Sequence, residues 1–100
     1  MNLIYATMDL EIIKHATYFQ VKGTLTKFNL HLFKKEFSNV FDKQDSLIIN
    51  IEKLTSIDRY GVNALAQLHN ESLLKRKKLS IIGMGCDDLY EHFKSEENAA

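Results

Sequence analysis

The chain has 100 residues, 45% of them apolar and 26% charged, with 13 basic and 13 acidic side chains that cancel. That length suits one domain, and that apolar content excludes a disordered chain. A balanced charge gives no global field toward nucleic acid or anionic lipid, and no segment approaches the roughly 20 apolar residues of a membrane helix.

The N-terminus, Met1 to Met8, has no basic start and meets Asp9 and Glu11 before any long apolar run, so no signal peptide is expected. With the single thiol of Cys86, which rules out an internal disulfide, this points to the cytoplasm. Leu10-Glu11-Ile12-Ile13 and Tyr18-Phe19-Gln20-Val21-Lys22 read as two strands. In the second, Phe19 and Val21 alternate with Gln20 and Lys22, the period of a half-buried strand. The short interval between them predicts an antiparallel hairpin, although no Asn-Gly or Asp-Gly marks the turn.

Lys27 to Lys43 carries a helical stripe of Phe33, Phe37, Val40 and Phe41, with Thr26 or Asn29 as candidate N-cap. Ser46 to Ile51 is a nearly continuous apolar run, as in strands covered on both faces. Gly61 to Arg76 is helical again, with Gly61, Ala64, Leu65, Leu68 and Ser72 on one face of mostly small residues. Leu79 to Ile82 is a last strand, and Asp87 to Lys94 a short helix burying Leu89, Tyr90 and Phe93. The expected fold is an α/β domain: a four-stranded mixed sheet with an N-terminal hairpin, two right-handed βαβ crossovers and a short C-terminal helix. Residues 1–94 form the domain and 95–100 a frayed tail.

The most informative stretch runs from Leu47 to Leu68, LIINIEKLTSIDRYGVNALAQL. A buried strand leads to a connection with a second apolar anchor, Leu54 and Ile57, and then Asp58 opens a helix. Asp58 is placed to accept backbone N–H bonds from Tyr60 or Gly61, and the helix dipole favours its charge there. Gly61 in the first turn lets another chain approach closely. A plain structural cap is the simpler account of the same residues.

Other features carry less. His15, His31, His69 and His92 lack ligand spacing, so no metal is expected. Lys75-Arg76-Lys77-Lys78 reads as a solvated helix end and not as a nucleic-acid patch, and Cys86 as an ordinary cysteine. Gly83-Met84-Gly85 lacks the rest of a phosphate-binding fingerprint, and no nucleophile, base and acid assemble on one side of the sheet. No catalysis and no cofactor are expected.

The chain resembles the STAS family, the anti-sigma-factor antagonists and their relatives in anion transporters, from about Asp9 to Phe93. The resemblance lies in Gly23-Thr24-Leu25, in Asp58-Arg59-Tyr60-Gly61-Val62-Asn63-Ala64-Leu65 after a buried strand, and in Lys77 to Gly83. It implies a non-catalytic regulatory module that binds a kinase-like anti-sigma partner. Within that fold it also allows an accessory subunit of an ABC-type transport ATPase, or a small-anion or nucleotide-binding module. Two departures matter. In sigma-regulating members the residue after the aspartate is a serine that the partner kinase phosphorylates, adding about two negative charges; here it is Arg59. The family often has an acid after its Gly-x-Leu; here stands Thr26. The usual switch is therefore absent, unless it has moved to Ser56, Thr26 or Tyr60. The expected partner-binding surface is Thr24, Thr26, Ser56, Asp58, Arg59, Tyr60 and Asn63.

Overall fold

Alternating apolar residues drive the first quarter of the chain into a sheet. The computed structural model describes residues 2–7, as strand backbone, and residues 9–83. Strands β1 (Asn2–Thr7), β2 (Leu10–His15) and β3 (Tyr18–Leu25) form an antiparallel meander. Phe19, Val21 and Leu25 of β3 are buried, as are Leu10 and Ile12 of β2. Gly23 breaks the alternation at φ 92, where an added Cβ would lie 2.1 Å from the Asp9 carbonyl oxygen. Only glycine tolerates that approach and that dihedral.

Two crossovers follow. Helices α1 (Leu30–Glu36) and α2 (Val40–Lys43) lead to β4 (Ser46–Asn50), which pairs parallel with β3 at Tyr18 to Gln20. Strand β5 (Leu54–Ile57) pairs parallel with the far end of β3, from Gly23 to Leu25. Helix α3 (Arg59–Leu74) then returns to β6 (Lys78–Ile82), parallel to β4. The sheet order is β1-β2-β3-β4-β6, with β5 beside β3.

The α/β class, the hairpin and the crossovers match the expectation. The sheet has six strands where four were expected, because β1 adds an edge and the second apolar anchor is itself a strand, β5. The helix expected over 27–43 is two helices. Asn39 takes a left-handed φ of 57, and that break turns Phe37, Val40 and Phe41 inward together with Phe33. The phenylalanines stack as tilted pairs, Phe33 on Phe37 at 4.6 Å and Phe37 on Phe19 at 4.8 Å between centroids. Helix α3 starts at Arg59 with Asp58 as its cap, as expected, so the helical run from Gly61 begins two residues earlier; it ends at Leu74, short of the expected Arg76, which has φ 58. The expected helix from Asp87 to Lys94 and the tail 95–100 lie outside the described residues.

Candidate functional site

The site grows from the end of β3. Leu25, wholly buried, anchors that end in the core, and its carbonyl accepts the Asp58 backbone N–H at 3.2 Å. This places the first turn of α3 against the strand end. An added Cβ at Gly61 would stand 2.6 Å from the Leu25 oxygen and 2.7 Å from Ile57 Cγ1. The close approach expected at Gly61 is therefore made by the chain's own strand β3, and a foreign chain is not what needs the glycine.

Asp58 has extended backbone, as an N-cap requires, and divides its carboxylate between two elements. Oδ1 accepts the Gly61 N–H at 3.0 Å, which closes the cap. Oδ2 accepts the Lys27 N–H at 2.9 Å, from the loop after β3. One side chain thus pins the 26–29 loop to the start of α3.

Asn29 holds that loop from beneath. It is 1% exposed, its Oδ1 accepts the Thr26 N–H at 2.9 Å, and its Nδ2 donates to the Thr24 carbonyl at 3.1 Å and the Thr24 hydroxyl at 3.3 Å. Its side chain makes no cap bond to α1, although it sits at the N-cap position. The Thr26 hydroxyl accepts the Phe28 N–H at 3.3 Å. Thr24 also donates to the Asp9 carbonyl at 3.5 Å and lies opposite Ser56 across the β3–β5 pair.

The seven residues expected at the site therefore divide. Thr24, Thr26, Ser56 and Asp58 are partly buried, and the two threonines and Asp58 hold the frame. Arg59, Tyr60 and Asn63 are exposed on the first two turns of α3. Three residues belong with them that the sequence reading missed: Asn29 as buried brace, Lys27 as the tethered amide, and Phe28. Phe28 is 70% exposed, with the Lys27 ammonium 5.4 Å from its ring centroid. A sequence signal for it exists: Phe28 stands five residues before Phe33, off the phase of the buried stripe.

The rim so built presents two aromatics, a guanidinium and an ammonium on a rigid support. That composition suits capture of a protein surface. Among the described residues no group of three or more His, Cys, Asp or Glu could hold a metal ion, and no helix is long and apolar enough to cross a membrane.

Comparison with family models finds the STAS domain over residues 7–92. Domains of this family serve in regulatory protein–protein interactions. No curated protein and no solved structure matches the chain.

Proposed function

The chain belongs to the STAS domain family, and from that premise we propose that it is a non-catalytic, cytoplasmic regulatory module that binds a protein through the rim at the start of α3. The contact residues are Arg59, Tyr60 and Asn63, framed by Thr24, Thr26, Ser56 and Asp58 and extended by Lys27 and Phe28. The observation that carries this reading is the pair of hydrogen bonds that the Asp58 carboxylate accepts from the Gly61 and Lys27 amides. It fixes two otherwise separate segments in one surface, so binding forfeits little loop entropy. Arg59 supports the same reading. A cation on the first turn costs roughly 0.3–1 kcal/mol when exposed, and among the described residues no ion pair offsets it. Its guanidinium is free to meet a partner carboxylate in a two-pronged bond.

Because Arg59 occupies the position that takes phosphate in sigma-regulating members, this surface is permanently on. The test is capture from native cell extract. The wild-type chain should retain a defined partner, and the double variant Arg59→Ala/Tyr60→Ala should lose it while keeping its circular dichroism spectrum. Equal capture by both overturns the proposal. The captured protein also sorts the role: a histidine-kinase-like protein means signalling, a transport ATPase an accessory subunit.

A further inference from the structure

The rim at the start of α3 carries more charge information than a binding role alone requires. Counting histidine as neutral, the charged side chains of residues 24–31 and 54–63 are Lys27, Asp58 and Arg59. Asp58 is engaged inward: Oδ1 accepts the Gly61 N–H at 3.0 Å and Oδ2 the Lys27 N–H at 2.9 Å. It already fills the helix end, and its negative charge is committed to backbone amides. Among the described residues no carboxylate pairs with the Lys27 ammonium or the Arg59 guanidinium. The contrast is with Lys75 and Lys77 beyond the other end of α3, which bond Asp42, Glu71 and Asp45.

The two cations stand beside two exposed aromatics. Phe28 is 70% exposed and Tyr60 48%. The Lys27 ammonium lies 5.4 Å from the Phe28 ring centroid, a contact that keeps the charge beside the ring. A partner that covers either ring therefore takes water from the cation next to it. A desolvated cation is costly unless an opposite charge meets it. A basic surface would add repulsion, and a purely apolar one would strand both cations. A small inorganic anion would cover neither ring. Two cations also fall short of the roughly four to eight that hold a protein on anionic lipid.

We propose that the occupant of this rim is an acidic protein segment, with carboxylates on Lys27 and Arg59 and apolar side chains over Phe28 and Tyr60. The proposal rests on the rim being the binding surface and adds the chemistry of what it binds. Arg59 takes a carboxylate through two prongs, and Lys27 takes one as a point charge.

The test uses the full chain labelled with nitrogen-15 and three short synthetic peptides. One alternates glutamate with leucine and phenylalanine; the second has lysine for every glutamate, and the third serine for every apolar residue. The first should shift the backbone amides of residues 26–29 and 59–63, with an affinity that falls as salt rises. Lys27→Glu/Arg59→Glu, at two exposed positions, should keep the dispersed spectrum and weaken that peptide by about tenfold or more. Arg59→Gln alone should weaken it by a smaller factor. The serine peptide should bind more weakly, and the lysine peptide should leave these amides unmoved. Binding of the lysine peptide at the same amides overturns the acidic assignment and leaves the rim a protein-binding surface. Shifts confined to other residues overturn both. No shift with the acidic peptide overturns the proposal, including where the chain's own residues 84–100 cover the rim. Equal shifts with phosphatidylserine vesicles or inorganic phosphate, or an affinity indifferent to the charge variants, overturn it as well.

Discussion

At the scale of single residues, the rim depends on two that fix its geometry. Gly61 and Asp58 together set how closely α3 meets β3, and they do so by different physics. Gly61 works by absence: a methyl there would collide with a backbone carbonyl and a branched side chain that are both in the core, at 2.6 and 2.7 Å. Neither neighbour is the free end of a flexible chain, so α3 itself must shift. Gly61→Ala should therefore destabilise by about 1–3 kcal/mol, the range for overpacking a filled site, although alanine is the better helix former. Urea denaturation measures it; a midpoint equal to or above wild type would show that the helix start is free to move. Asp58 works by presence, through two charge-assisted bonds to backbone amides. Its role as a cap was legible in the sequence, because an acid before a helical pattern is a local signal. Its bond to Lys27 was not. The donor is a backbone N–H 31 residues away, and no residue type announces an amide.

At the scale of elements, the basic run at the end of α3 shows the same limit. Four cations in a row look like a solvated turn, and a solvated turn is half of what they are. Lys75 bonds Asp42 in α2, and Lys77 bonds Asp45 before β4 at 2.7 Å. Two crossovers distant in sequence are thus laced together at their ends. The Lys77 bond and its charge hold the Asp45 carboxyl below its ordinary value of 3.8, and the Asp42 bond raises Lys75. For Asp45 the sign is that of a depressed acid. Its contribution is fully present above 3.8, the unfolded value, and is lost as pH falls through the lower folded value. The group is exposed, so salt should screen the effect. Nuclear magnetic resonance titration should place the Asp45 midpoint under 3.8 and return it toward 3.8 in high salt. A midpoint at the ordinary value in low salt would mean the bridge is not formed in solution. Other elements were hidden for related reasons. Strand β5 is only four residues, LTSI, with apolar residues at its two ends, which is not a strand period. The turn between β2 and β3 puts Ala16 at φ 57, where glycine or asparagine would have advertised it.

At the scale of the molecule, one strand organises the rest. β3 pairs with β2 from Tyr18 to Gly23 on one side and with both β4 and β5 on the other, so it belongs to the hairpin and to both crossovers. This was the legible part of the fold: Phe19 and Val21 stood out by alternation, and the Phe33–Phe41 stripe by helical spacing, because burial imposes period on sequence. The same centrality makes β3 the strand whose loss the domain cannot survive. Phe19 is 2% exposed, pairs through the backbone with Lys14 and Ile49, and stacks on Phe37. Phe19→Ala would leave a cavity under α1 where hairpin, first crossover and helix meet. The expected cost is about 3–5 kcal/mol, against about 5–15 kcal/mol for the whole of a typical domain. Urea denaturation should show an unfolding free energy lowered by that amount. In the wild type, native-state hydrogen exchange should find the Phe19 and Val21 amides opening only with global unfolding, while amides of edge strand β1, with one partner strand, exchange by local opening. The reverse order, with β1 as slow as β3, would mean that the meander and not the central strand is the unit of stability. Such a result would also detach the rim from its support, since Leu25 at the end of β3 is what meets the start of α3.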